Sequence, residues 1–256
     1  MIRTSWRPLL VGAVLLVGGT ALSAQRGGGY PTEINNVSYD GRFTYARIKY
    51  TAVDMGRGGF RGRFDPMWNH DYPRSDRTFP QILSELSTIK ARIDGSVVYT
   101  ADDPLLHRFP VAYLCEVGAW VPSEAEVVGL RSYLVKGGFV IVDDFGGAQE
   151  LDNFDRQLAR VLPGTRRIRL DVSHPLFDTF YQITDLSFGE AFGRSAGPEL
   201  YGIFQDNDPA KRLMMVVNYN YDISERWEWS FTGRDPLPTG DAFKLGINYV
   251  IYSFTH

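Results

Sequence analysis

The groups able to do chemistry recur at one kind of place, the end of an apolar run. Asp102-Asp103 follow Val97–Tyr99, Cys115-Glu116 follow Val111–Leu114, Asp143-Asp144 follow Phe139–Val142, and Asp171 to His174 follow Arg166–Leu170. Carboxylates gathered with an imidazole can hold a divalent cation. They can also act as general acid and base, with pKa values driven apart by crowding. An Asp at a strand end has a plainer use too, capping the next helix or setting a turn. The doublet Asp143-Asp144 asks most of its surroundings, because two acids at one buried strand end need compensating partners.

A second set lies in MWNHDYPRSDRTFP, residues 67–80, where His70, Asp71, Arg74, Asp76 and Arg77 stand among Trp68, Tyr72 and Phe79. Aromatic rings beside charges can line a ligand groove, for instance one that stacks on sugar rings. The same residues can equally staple a long loop onto a sheet. The ligand-binding candidates are therefore His70, Asp71, Arg74, Glu116, Asp143, Asp144 and His174. Cys115 with His174 would be a nucleophile and its base, yet Glu116 beside the thiol opposes its ionisation, and Val117 to Pro122 make a poor elbow before the next helix. The chain has no G-x-S-x-G, Walker A or G-x-G-x-x-G signature, and no motif calls for a resident cofactor or metal.

The elements that must position these groups follow from periodicity. FTYARIKY, Phe43–Tyr50, alternates as a half-buried strand does. Phe79–Ile93 carries Ile82, Leu86, Ile89 and Ile93 at helical spacing. Ser123-Glu124-Ala125-Glu126 is a capping box opening a helix with Val127, Leu130 and Leu134, stopped by Gly137-Gly138. Leu151–Leu162 predicts a third helix, Leu200–Phe204 and Arg212–Val217 a strand pair across Asp206-Asn207-Asp208-Pro209, and Ala242–Phe254 a closing helix. Strands alternating with helices predict an α/β fold: a single domain of three layers, doubly wound around a mainly parallel sheet. In such a sheet ligands bind at the carboxyl ends of the strands, where the acids fall.

The chain has 256 residues, 27 Lys+Arg against 30 Asp+Glu, 44% hydrophobic residues and a single Cys. That balance excludes wholesale disorder, and it excludes a nucleic-acid binder relying on global positive charge. One Cys rules out an intramolecular disulfide and any Cys-based zinc site. Residues 1–24 have the layout of a signal peptide, with Arg3 and Arg7 before the apolar Leu9–Val17 and small residues from Thr20 to Ala24. The expected location is periplasmic or extracellular, with membrane attachment only if that segment is retained. Residues 25–42 read as a flexible lead-in, and 43–256 as the domain, with a Gly/Arg-rich insertion at 54–77. Its GRGGFRGR, Gly56–Arg63, reads as a surface loop or as an anion-binding loop.

The run VAYLCEVGAWVPSEAEVVGLRSYLVKGGFVIVDDFGG, residues 111–147, resembles the core of a bacterial family known only as a domain of unknown function, numbered four-one-five-nine. It is similar, more loosely, to ThuA-like and class I glutamine-amidotransferase-like domains. Further landmarks are His174-Pro175-Leu176-Phe177, Trp227 to Trp229 and Leu245 to Tyr252. The resemblance implies an amidotransferase-like, flavodoxin-like architecture. In amidotransferases the nucleophilic Cys follows the strand corresponding to Phe139–Val142, where this chain has Asp143 and Asp144, so the glutaminase triad is not reproduced. His174-Pro175 resembles a His-Pro pair of ThuA-like proteins, which implies a carbohydrate ligand. Two functions remain open: an exported, non-catalytic domain binding a small molecule, a carbohydrate or a protein partner, and a hydrolase using strand-end carboxylates with His174, with or without a divalent metal.

Overall fold

The computed structural model describes residues 34–52, 66–187, 197–230 and 240–256; residues 1–24, the first half of the lead-in and Gly56–Arg63 lie outside them. In chain order the elements are β1 (Ala46–Lys49), α1 (Ser75–Leu86), β2 (Val97–Thr100), β3 (Val111–Cys115), α2 (Glu124–Val135), β4 (Phe139–Phe145), α3 (Ala148–Val161), β5 (Ile168–Arg169), β6 (Glu199–Phe204), β7 (Leu213–Tyr219), α4 (Ile223–Trp229) and α5 (Gly240–Thr255).

The sheet runs β2-β1-β3-β4-β7-β6-β5. Its first five strands are parallel, and β6 and β5 extend it as an antiparallel edge. Numbered by their own order in the chain, the parallel strands run 2-1-3-4-5, the flavodoxin-type arrangement, whose connections change face between β1 and β3. Alternation along β3 and β4 then splits the core. Ala112, Leu114, Val140 and Val142 pack with Leu130, Leu134, Phe154 and Leu158 of α2 and α3. Val111, Tyr113, Cys115, Phe139 and Ile141 pack on the other face with Phe79, Trp227, Leu245 and Tyr249 of α1, α4 and α5.

Local signals set several boundaries as the sequence predicts. Ser123 and Glu126 form the reciprocal capping box of α2, and Gly137 follows the helix at φ 112. Helix α1 departs from the prediction, running from Ser75 to Leu86 instead of Phe79 to Ile93. It begins earlier because Ser75 and Asp76 are seized by a buried arginine of β1, described below. It ends earlier because Ser87 turns extended, its hydroxyl and N–H both donating to Leu83 O. Ile93 is consequently exposed. Helix α4 is too short to show more than one apolar pair, Ile223 and Trp227; it is started by Asp222, whose side chain accepts from Glu225 N at 2.9 Å. Among the described residues no helix is long and apolar enough to cross a membrane.

Close packing of α2 on the loop after β2 gives a direct test. A Cβ at Gly129 would lie 2.2 Å from Ala101 O and 2.7 Å from Asp102 Cα, both backbone atoms that cannot swing aside. Gly129→Ala gains about 1 kcal/mol of helix propensity, yet we expect a net loss of about 1–3 kcal/mol from overpacking, read by chemical denaturation.

Candidate functional site

The strand ends divide by their place in the sheet. At the β2 edge, Asp103 accepts from Leu105 N at 2.8 Å and caps a 3-10 turn. Near the β5 edge, Asp171 accepts from Ser173 N at 2.8 Å and sets a turn. These acids have the plain use. At the centre, Glu116 after β3 and Asp144 at the end of β4 meet His70, which arrives on the loop after β1. His70 Nδ1 lies 2.9 Å from Glu116 Oε1 and 3.6 Å from Asp144 Oδ2. This cluster sits at the β1/β3 switch point of the sheet.

The loop bearing His70 is held by Arg47, a fully buried residue in the middle of β1. Its guanidinium pairs with Asp76 at 2.5 Å and donates to Ser75 Oγ at 3.1 Å, both at the start of α1. It also donates to Trp68 O at 3.1 Å, His70 O at 3.0 Å and Cys115 Sγ at 3.2 Å. Trp68 is buried, so this aromatic staples the loop down instead of offering a stacking surface. Sequence alone gives one signal for Arg47: a charge on the same strand face as the buried Tyr45.

Three of the acids adopt a left-handed backbone: Asp71 at φ 60, Glu116 at φ 52 and Asp144 at φ 54. Non-glycine residues rarely do so, and such strain gathers at functional sites. At Glu116 the conformation is fixed by its N–H to Asp143 O at 3.1 Å and by Tyr50 OH to its carbonyl at 2.8 Å. Asp144 falls where the β4–β7 register shifts, between Val142 and Phe145, with its N–H on Tyr221 O.

Crowding and burial set the electrostatics. Burial, then the nearby Asp144, pushes the Glu116 carboxyl up to about 7, against the pull of His70. The same two causes lift Asp143 to about 6 and hold Asp71 and Asp222 well above the ordinary carboxylate range. Asp143 lies beneath the cluster on the α4 face. It accepts from Tyr113 OH at 2.8 Å, Asn218 Nδ2 at 3.0 Å, Ile223 N at 3.1 Å and Ser224 N at 3.1 Å. Asp71 meets Ser224 Oγ. Donor atoms of His70, Glu116 and Asp144 lie within 4.8 Å of one another, and so do those of Asp71, Asp144 and Asp222. That spacing could admit a divalent ion, and carboxyl groups that share protons stand equally close.

The remaining sequence candidates fall at the rim or elsewhere. Arg74 lies 3.5 Å from Glu228 and 5.4 Å from the centre of the Trp229 ring, beside the cluster. His174 does not join it. Its Nδ1 accepts from Leu176 N, and its ring packs on Phe204 of β6 and Tyr252 of α5. The strand order explains this, since β5 stands three positions from β4, roughly 14 Å at the usual interstrand spacing. Cys115 is enclosed in β3, where burial drives its thiol far up, away from the thiolate a nucleophile needs. Tyr113, Asp222 and Ser224 belong to no motif and reach the cluster only through the fold.

Two measurements probe this arrangement. Arg47→Met leaves Asp76 as a buried, unpaired charge, and we expect a loss of about 3–5 kcal/mol in denaturant unfolding. Glu116 keeps its proton up to about 7 when folded but only to 4.5 when unfolded, so its contribution is full below 4.5 and lost as pH rises through about 7. Glu116→Gln cannot ionise. At pH about 8 it should be more stable than the parent chain by on the order of 2 kcal/mol, the gain vanishing near pH 4, as thermal unfolding at both pH values would show.

No curated protein matches this chain significantly. Residues 44–254, nearly the whole of the described domain, match the family model for a domain of unknown function (DUF4159), and the chain belongs to that family.

Proposed function

We propose that this chain is an exported hydrolase of an oxygen-rich small molecule, with Glu116, His70 and Asp144 as its acid–base centre. The carrying observation is the 2.9 Å contact of Glu116 Oε1 with His70 Nδ1, in a carboxyl whose pKa of about 7 suits proton transfer near neutrality. Asp144, 3.6 Å from the same nitrogen, is the second carboxylate such chemistry uses. Export is supported by the signal-peptide layout of residues 1–24 and makes the location periplasmic or extracellular. A carbohydrate is the ligand class that fits best, because the half-buried Trp229 with Arg74 sets a flat ring beside hydrogen-bonding acids. The 2-1-3-4-5 parallel order suits an amidotransferase-like ancestry.

A second reading, a non-catalytic binding or assembly domain, is favoured by one observation. Cys115, the chain's single thiol, is enclosed in β3, and Asp143 and Asp144 stand where the amidotransferase nucleophile would be. Pooled glycosides and esters, assayed with and without Mg2+, Mn2+ and Ca2+, separate the two. The hydrolase reading expects turnover with a pH optimum near 7, falling roughly 100- to 10,000-fold in Glu116→Gln and Asp144→Asn. Saturable binding without turnover in any pool would leave the binding domain.

A further inference from the structure

Beneath the acid–base centre runs an unbroken line of oxygen contacts. Asp71 Oδ2 meets Ser224 Oγ, Ser224 Oγ lies 2.6 Å from Tyr113 OH, and Tyr113 OH lies 2.8 Å from Asp143 Oδ2. Three short contacts between oxygens need three protons, one in each gap. The two hydroxyls supply two. A single phenol proton cannot point along two contacts of 2.6 and 2.8 Å at once, so the third proton must come from one of the end carboxyls.

We propose that Asp71 is a protonated acid, wired through Ser224 and Tyr113 to an ionised Asp143, and that this chain relays a proton between the surface cluster and the interior. The partners at each end fix the direction. Asp143 receives N–H groups from Asn218, Ile223 and Ser224 as well as the phenol, donors that favour the anion. The Asn218 amide is itself oriented by Tyr249 OH on its Oδ1, at 2.9 Å. Asp71 faces the carboxylates of Asp144 on β4 and Glu228 on α4, with Arg47 of β1 the opposing cation, and burial adds to the case for a neutral acid there. Asp144 faces Asp143 too. Asp222 stands beside the line, 3.3 Å from Ser224 Oγ.

The shift is balanced. Asp71 gives its proton to Ser224 Oγ, Ser224 gives its own to Tyr113 Oη, and Tyr113 gives its own to Asp143 Oδ2. One proton crosses, both hydroxyls end neutral, and Asp71 changes from acid to base without exchange with solvent. Use of the relay in turnover rests on the hydrolase reading; its existence does not, because it is a property of the folded protein without substrate.

The test is therefore spectroscopic. In mildly alkaline buffer, the infrared difference between the parent protein and Asp71→Asn should show the loss of one protonated-carboxyl band that shifts in D2O. Asp71 is among the groups that raise Asp222, so the same difference is also taken on an Asp222→Asn background, where the lost band is that of Asp71. Asn mimics a neutral acid, so Asp71→Asn should keep the parent's Tm while Asp143→Asn lowers it. Tyr113→Phe removes the need for the third proton, and the pH at which the Asp71 band disappears should fall. A difference spectrum with no carboxyl band overturns the protonated Asp71. A Tm loss confined to Asp71→Asn reverses the direction, and an unmoved titration in Tyr113→Phe breaks the wiring. Calorimetric binding of Mn2+ or Ca2+ abolished by Asp71→Asn would overturn the relay in favour of a cation site that shares Asp144 with the acid–base centre, whereas failure of the hydrolase reading shows as absence of turnover in every pool, with or without metal.

Discussion

The candidate site depends on one guanidinium taken out of water. Removing an arginine from solvent costs several kcal/mol unless its donors are met, and Arg47 meets that cost with a carboxylate, a hydroxyl, two carbonyls and a sulfur. These partners belong to three separate pieces of chain: the loop after β1, the start of α1 and the end of β3. A planar fork can bind all of them at once, where the compact ammonium of lysine could not. Arg47 is thus the part that turns a long excursion after β1 into a rigid arm, and His70 is carried on that arm.

What the arm meets is an unusual concentration of acid. Glu116, Asp143, Asp144, Asp71 and Asp222 crowd the ends of the central strands and the entry to α4. Three of them also hold backbone conformations that glycine would adopt more easily. Neither choice helps the fold, since buried acids are desolvated and left-handed carboxylate residues are strained. The sheet's edges show how the same residue type behaves when structure is its purpose, with Asp103 and Asp171 satisfied by a nearby backbone N–H. The contrast between edge and centre is the physical ground for treating the centre as functional.

Much of this was legible in the sequence, for a geometrical reason. In parallel strands every carboxyl end lies at one rim, so acids following the apolar runs Val111–Leu114 and Phe139–Val142 had to be neighbours. His70, in the connection leaving a strand of the same sheet, had to be near that rim. His174 was misplaced because proximity also depends on strand order, and periodicity does not reveal that β5 stands at the far edge. The pairing of Asp76 with Arg47 is not legible, because the two are 29 residues apart and become partners only when α1 docks on β1. Tyr113 and Ser224 are separated by 111 residues, and a tyrosine in an apolar run looks like any other core aromatic. Helix α4 offers a single apolar pair, Ile223 and Trp227, too little to mark a helix, and is held by Asp222, Asp143 and the stacked Trp227 and Phe79.

The contact between Arg47 and Cys115 has a practical side. The chain's one thiol touches both the guanidinium and the carbonyl of Trp68, so the sulfur is walled in by the arm that presents His70. A thiol reagent can reach it only when that arm lifts or the whole domain opens. Its labelling rate is consequently a clock for the arm, and comparing that rate with the rate of global unfolding would separate local opening from complete loss of structure. The protein carries its own reporter of how often the site comes apart.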